Sequence, residues 1–152
     1  MGLLHPAIRG AAAGATATTA MTAIFGAAGA SGLIHRQPPE KIVRTLFPSL
    51  PTTSKEVLAL SSHLSYGMSG GAIYACLMPA RLRGPGTGTL FGAMVWLAGY
   101  EGWLPALDVL PPAHEDRPGR AGSVFVAHLV YGWTLGWAMR RLGEGREAEA
   151  QE

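Results

Sequence analysis

The sequence predicts an all-α integral membrane four-helix bundle built from two parallel two-helix repeats. Asp, Glu, Lys and Arg make up only 14% of the 152 residues, whereas about 25% is usual in soluble domains. These charges lie between four long apolar stretches, and one sequence motif occurs twice. Gly, Ala, Ser and Thr are frequent within the stretches, which is typical of membrane helices whose backbones pack closely.

The first predicted span covers about residues 10–34 and contains no charged residue. It exceeds the roughly 20 residues that a helix needs to cross a bilayer. A cleaved secretory signal peptide is the alternative interpretation of an apolar run near the N-terminus. Because Arg9 is the only charged side chain before the run, and because three more apolar stretches follow, a membrane span is favoured.

Three further spans are predicted at about residues 57–79, 86–107 and 122–139. The second of these four spans contains His63, the third contains the carboxylate Glu101, and the fourth ends at an Arg-Arg pair. Together the spans define a membrane domain over residues 1–142. The Glu-, Ala- and Gly-rich residues 143–152 form a polar C-terminal tail, predicted as a frayed helix end or a disordered segment.

The connections between the spans differ in character. Residues 80–85 predict a tight turn between antiparallel neighbours. The longer segment of residues 35–56 contains Pro38 and Pro39, which suit the start of a helix, followed by apolar residues at roughly helical spacing. It predicts a short helix lying at the membrane interface, with an ordinary coiled loop as the alternative. The corresponding segment of the second half, residues 108–121, is shorter and more polar.

The repeat consists of a double proline followed by a His-Leu-x-Tyr-Gly motif in each half. The motif begins at His63 in the first half and at His128 in the second. A unit with two crossings enters the membrane from the same side each time, so we expect a pseudo-twofold axis along the membrane normal. Each span also carries a Gly-x-x-x-Gly pair, which provides a flat groove for close helix packing. These glycines are Gly10, Gly14, Gly67, Gly71, Gly88, Gly92, Gly132 and Gly136.

The polar residues of the two motifs form the candidate site. Residues three or four apart share a helix face, so His63 with Tyr66 and His128 with Tyr131 form matching stripes. One interpretation is that these side chains make helix–helix hydrogen bonds. Because ionisable groups inside a membrane suggest function, a second interpretation is a proton or small-ion relay that includes Glu101. A third is a metal or haem iron held by the two histidines, although two ligands are few for a metal.

Glu101 lies in a Gly-Tyr-Glu-Gly-Trp-Leu-Pro segment, where a straight helix is least favoured. It falls near the end of the third span, beside Tyr100 and Trp103, which fit an aromatic belt. One interpretation is a carboxylate that reaches water at the headgroups. The other pairs Glu101 with His63 or His128, because burial favours proton sharing between a carboxylate and an imidazole.

Several classes of protein are not indicated. The single cysteine, Cys76, excludes an internal disulfide framework and a multi-cysteine zinc site. No Walker loop, dinucleotide fingerprint, Ser-His-Asp spacing or His-Glu-x-x-His motif occurs, so no enzyme activity, catalytic residue, metal ligand or cofactor is predicted. Residues 114–116 (His-Glu-Asp) are interpreted as a solvated loop cluster, with a weak surface metal site as the alternative. The basic residues border apolar segments and do not alternate with aromatic ones, so no nucleic-acid partner is expected.

The orientation follows from the basic residues that flank the spans. Lys and Arg are equally numerous on the two sides. On one side, however, four arginines lie directly against helix ends, namely Arg81, Arg83, Arg140 and Arg141. The other side carries most of the loop acids. By the positive-inside rule, both termini are predicted in the cytoplasm. The expected partners are the lipid bilayer and either a second copy of the chain or another membrane protein.

The chain has four Gly- and Ala-rich spans, a double proline after the first, and a late His-Leu-Val-Tyr-Gly-Trp that begins at His128. This pattern resembles the YagU-like group of small bacterial inner-membrane proteins. The resemblance extends over nearly the whole chain and implies an integral inner-membrane protein. That family is a domain of unknown function, so the resemblance implies no chemistry and no catalytic residues.

The function that the sequence favours is a non-enzymatic membrane component or accessory subunit that acts through Gly-rich helix packing. A proton or small-ion transporter or channel that uses the His, Tyr and Glu side chains is the first alternative. Binding of a metal or haem by the two histidines is the second.

Overall fold

The chain folds as an all-helical protein, which confirms the predicted fold class at that level. The computed structural model describes residues 4–149, with side chains through residue 143, and this part of the chain contains no β-strand. Its α-helices are α1 (Leu4–Ala30), α2 (Pro38–Leu46), α3 (Thr52–Leu77), α4 (Pro85–Leu97), α5 (Leu104–Ala106) and α6 (Pro118–Glu149). A 3-10 turn covers Ala80–Leu82 and a π-helical segment covers Ala98–Trp103.

The ends of the first helices follow from local sequence. Gly32 has φ +76° and terminates α1, because glycine enters the left-handed region without steric cost. The double proline opens α2 as predicted, with Pro38 in its first turn. The segment is therefore a helix and not a coiled loop. Val43 of α2 is buried, and α2 packs against α3.

The connection between α3 and α4 is short, as expected. Arg83 lies in it and donates from Nε to the carbonyl of Met78 at 3.0 Å, and from a second guanidinium nitrogen to the carbonyl of Ala75 at 2.7 Å. These bonds satisfy carbonyl groups that the end of α3 leaves without helical partners. The basic side chain pressed against this helix end thus has a structural role.

The third apolar stretch is helical from residue 85 to residue 106, but its winding changes near the end. Residues 98–103 form the π-helical segment, which contains Gly99 and Gly102 and is followed by Pro105. Irregular winding in this Gly- and Pro-containing segment agrees with the sequence prediction. Single π turns inside α-helices are frequent at functional sites.

The helices pack with small residues at their contacts. α1 packs along α3 and along α6, and α4 packs along α6. A Cβ atom added to Gly10 would lie within 3.0 Å of the backbone of Gly71, and one added to Gly88 would lie within 3.0 Å of the backbone of Gly132. Only glycine permits backbones to approach this closely.

The outer faces of the same helices carry large apolar side chains. Leu60 of α3 and Leu90 of α4 are each 65% exposed, and Trp133 of α6 is 52% exposed. Many hydroxyl groups on these helices bond back to their own helix; for example, Thr19 donates to the carbonyl of Ala15, and Ser69 donates to that of Ser65. The outer faces of these helices are therefore largely apolar, and their closest contacts are made by glycine.

By length and composition alone, one helix among the described residues could cross a membrane, namely α1. One such helix is weak support for a membrane protein, since the buried core helix of a soluble protein and a signal sequence have the same properties. The multi-pass placement predicted from the sequence is not supported by this criterion. At the other end of the chain, α6 continues through Glu149, so residues 143–149 are helical.

Candidate functional site

A cavity of about 430 Å³ lies between α3 and α4. These two helices meet near their connection, where the hydroxyl groups of Tyr74 and Thr87 are 2.8 Å apart and the ring of Tyr74 lies 5.3 Å from that of Phe91. Farther from the connection the cavity separates them. Side chains of α1 and α6, including Phe25 and Val124, line it as well.

The cavity brings both predicted histidines and both predicted tyrosines into one place. His63 and Tyr66 of α3 and His128 and Tyr131 of α6 all line it. The two matching stripes predicted from the sequence therefore border one shared space. The roles of the four side chains within that space differ.

The polar groups from α6 have partners. Nδ1 of His128 lies 2.8 Å from the carbonyl oxygen of Val124. Because a carbonyl can only accept, this nitrogen carries the proton, and Nε2 of the neutral ring is then an acceptor. The hydroxyl of Tyr131 donates to the carbonyl of Gly67 at 2.7 Å, which joins α6 to α3. Tyr131 thus makes a helix–helix hydrogen bond, one of the two roles that the sequence suggested.

The matching histidine and tyrosine of α3 make no such hydrogen bonds among the described residues. Nε2 of His63 is buried and finds no hydrogen-bond partner among the described residues; its ring lies 6.0 Å from that of Phe25. Tyr66 is 51% exposed at the rim, where its ring lies 6.4 Å from that of Trp103. Among the described residues, these two side chains contact other helices through their rings, and neither makes a hydrogen bond between helices as Tyr131 does.

Trp96 carries a second buried polar atom that has no partner among the described residues. It lines the cavity from α4, and its Nε1 has no hydrogen-bond acceptor in the described part of the chain. Its ring is held between those of Tyr100 at 5.7 Å and Phe125 at 4.8 Å. Sequence reasoning did not single out Trp96, because nothing in the apolar run around it indicates which way the indole points.

Glu101 lies apart from this cavity. Its Oε1 accepts from the backbone N–H of Ala113 at 3.1 Å, and its Oε2 lies 3.5 Å from Nδ1 of His114, a mostly exposed side chain. The structure therefore does not bring Glu101 together with His63 or His128. The π-helical turn that carries Glu101 directs the carboxylate toward the loop before α6.

The eight predicted packing glycines lie at two helix crossings. Gly10, Gly14, Gly67 and Gly71 occupy the contact between α1 and α3, whereas Gly88, Gly92, Gly132 and Gly136 occupy the contact of α6 with α4 and the residues just before it. At each of these positions an added Cβ would come closer than 3.0 Å to a neighbouring atom. These contacts join α1 to α3 and α4 to α6, and all four helices line the cavity.

A buried ion pair at the start of α6 was missed by sequence reasoning. Asp116 is buried and accepts hydrogen bonds from the guanidinium of Arg120 and from the hydroxyl of Tyr100. Burial alone would raise the pKa of Asp116, but the bonds from Arg120, Tyr100 and the backbone N–H of Arg117 hold it below its ordinary value. The residue is therefore a structural anchor and not part of a solvated cluster.

A second, basic cavity of about 340 Å³ lies beside this anchor. Its lining includes Arg36, Lys41, Arg44, Arg117 and Arg120. Partial burial and the nearby charge of Arg120 lower the pKa of Lys41. No group of three His, Cys, Asp or Glu side chains that could hold a metal ion occurs among the described residues.

Comparisons with known proteins give no further guide to the site. No family model, curated protein or solved structure matches this chain.

Proposed function

We propose that this protein is a multi-pass integral membrane protein whose helices pack through glycine and which acts as a non-enzymatic membrane component. The observation that carries the proposal is the apolar outer surface of helices whose closest contacts are made by glycine. Eight glycines lie at these contacts, while large apolar side chains such as Leu60, Leu90 and Trp133 face outward. A helix that is apolar on every side is suited to lipid or to a protein core.

Two further features support the same proposal. Exposed Ser and Thr hydroxyl groups bond to carbonyls of their own helix, as expected where no water is present to accept them. The crossing of α1 with α3 resembles that of α4 with α6 in its pairs of close glycines, as two parallel two-helix repeats require. The likeness to the YagU-like family remains a prediction that agrees with this placement.

The experiment is a topology map of the full chain with reporter fusions. Alkaline phosphatase, which is active only outside the cytoplasm, and green fluorescent protein, which is fluorescent only inside it, are fused after Leu50, Arg83, Glu115 and the C-terminus. The proposal predicts phosphatase activity after Leu50 and Glu115, and fluorescence after Arg83 and at the C-terminus. A single crossing by α1 would give all four positions the same location and would contradict it.

A proton or small-ion relay is the second candidate function, favoured by the location of His63 and His128 in one cavity. Glu101 does not belong to that set, so the relay would consist of the imidazoles and the tyrosines. Flux of protons into liposomes that contain the purified protein tests it, with His63→Gln and His128→Gln as variants. Loss of flux in both variants with unchanged folding is the expected result for a relay.

A further inference from the structure

The cavity between α3 and α4 suits an uncharged and mostly apolar occupant. None of the described residues that line it is Asp, Glu, Lys or Arg. A charged headgroup would lose its hydration there without a compensating charge. The volume of about 430 Å³ lies within the ~300–1,000 Å³ range of small-molecule sites. The cavity also reaches the outside at exposed side chains of α3, Tyr66 and Ile73.

Flat rings form much of the cavity wall. Phe91, Trp96 and Trp103 line it from the α4 side, Tyr66 from α3 and Phe25 from α1. Aromatic rings pack favourably on other rings, stacked with an offset or edge to face. A planar conjugated ring therefore fits this wall better than a flexible chain does.

Two polar atoms in the wall specify what that ring must carry. The indole Nε1 of Trp96 can only donate a hydrogen bond, so it requires an acceptor such as a carbonyl oxygen. Nε2 of His63 donates in one tautomer and accepts in the other, so it pairs with either a carbonyl or a hydroxyl. Both atoms are buried and find no partner among the described residues, and buried polar atoms are rarely left unpaired.

We propose that this cavity binds a lipid-soluble quinone or its quinol. Trp96 donates to one oxygen of the ring, and His63 pairs with another oxygen through Nε2. The rings of Phe91 and Trp103 pack on the conjugated head, and the apolar tail leaves past Tyr66 and Ile73. The contacts that form this site are all within the chain, so it does not depend on how many helices cross a membrane.

The probe is decylubiquinone, a short-chain benzoquinone, titrated against the full-length protein in detergent micelles while tryptophan fluorescence is recorded. Quinones quench nearby indoles, and Trp103 in the cavity wall keeps a reporter present when Trp96 is replaced. Trp96→Phe and His63→Phe each keep a ring and remove one polar atom, and each is expected to weaken binding about tenfold. Trp133→Phe, on the exposed face of α6, is the matched control and leaves the affinity unchanged.

A cavity-filling variant provides an independent measurement. Val95→Phe adds a ring within the space and is expected to abolish saturable quenching by decylubiquinone. Circular dichroism and thermal melts of each variant establish that it folds. Decylbenzene, which has a ring and tail but no oxygen, is expected to compete at least tenfold more weakly than decylubiquinone.

Three outcomes would overturn the proposal. Equal quenching in the wild type and in Val95→Phe, Trp96→Phe and His63→Phe would mean that the quinone only dissolves in the micelle. Tighter binding of dioctanoylglycerol than of decylubiquinone would assign the oxygen acceptor to a glycerolipid ester. A Soret band in the purified protein that disappears in His63→Phe would assign the cavity to haem.

Discussion

The His-Leu-x-Tyr-Gly motif occurs in two helices with different surroundings. It starts at His63 in α3 and at His128 in α6. In α6, His128 bonds to the carbonyl of Val124, and Tyr131, only 3% exposed, bonds across to Gly67. In α3, Nε2 of His63 has no partner among the described residues, and Tyr66 is 51% exposed. Helix α6 packs against both α1 and α4, whereas α3 borders the cavity on its α4 side.

This difference shows that the neighbouring helices decide the role of the motif. Both tyrosines line the cavity, but Tyr131 is buried and fixed by its bond to Gly67, whereas Tyr66 is half-exposed at the rim. The α6 motif therefore contributes hydrogen bonds to the fold, while His63 of the α3 motif is left for the proposed quinone. Substitutions at matching positions of α3 and α6 test this contrast.

The largest single effect is expected at the glycine that follows the tyrosine. A Cβ at Gly132 would meet the backbone oxygen of Gly88, whereas a Cβ at Gly67 would meet the side-chain hydroxyl of Thr18, in both cases closer than 3.0 Å. A side chain can rotate away and a helix backbone cannot. Gly132→Ala is expected to cost about 3 kcal/mol or more, and Gly67→Ala about 1–2 kcal/mol, as measured by denaturant unfolding in detergent.

Gly122→Ala is the control for this comparison. It lies in α6 as Gly132 does, but an added Cβ meets no atom within 4 Å. Higher helix propensity is expected to make this variant equal to the wild type or more stable by up to about 1 kcal/mol. Equal losses at Gly132 and Gly67 would show that the two crossings respond alike, which would remove the proposed contrast there.

The next difference concerns the ion pairs of the two connections. Asp116, which is buried just before α6, pairs with Arg120 in the first turn of α6, whereas Glu40 pairs with Arg44 at 2.7 Å in a partly exposed pair on α2. Asp116→Asn is expected to cost about 2–3 kcal/mol, and Glu40→Gln about 0.3–0.5 kcal/mol. Thermal unfolding of both variants at neutral pH measures the difference.

The pH dependence of stability checks the same pair. Because the pKa of Asp116 is lower in the folded protein than its ordinary value of 3.8, the carboxylate stabilises the fold fully above that value. This contribution is lost as the pH falls below 3.8 through the lowered pKa. The wild type should therefore lose stability more steeply than Asp116→Asn in acid. Parallel curves would contradict the assignment of Asp116 as an anchor.

The all-helical fold, the helix that begins at Pro38 and the irregular turn near Glu101 could be predicted, because they depend on apolar composition and on Gly or Pro in the same segment. The Asp116–Arg120 pair and the cavity were not predicted. Asp116 and Arg120 are four residues apart, but Tyr100 is distant along the chain and meets them only through packing. Which indole faces inward, as Trp96 does, likewise depends on helix rotation, which an apolar run leaves undetermined.

The tyrosines provide a smaller test of the contrast. Tyr131→Phe removes the hydrogen bond to Gly67 and leaves that carbonyl without this donor, so a loss of about 1 kcal/mol is expected. Tyr66→Phe removes a hydroxyl from a half-exposed side chain and should change stability by less than about 0.3 kcal/mol. The denaturant midpoints of the two variants measure these stability changes. A larger loss of stability in Tyr66→Phe than in Tyr131→Phe would reverse the assigned roles.

The smallest expected effects are those of the histidines, and here the two signs should differ. In protein without added quinone, His63→Phe replaces a buried nitrogen that has no partner with an apolar ring beside Phe25, so stability should stay level or rise by about 0.5 kcal/mol. His128→Phe removes the donor to Val124 and should lower stability by about 0.5–1 kcal/mol. Added decylubiquinone should raise the melting temperature of the wild type but raise that of His63→Phe much less, because only the wild type pairs the ring oxygen. A loss of stability in His63→Phe equal to that in His128→Phe would mean that both imidazoles serve the fold.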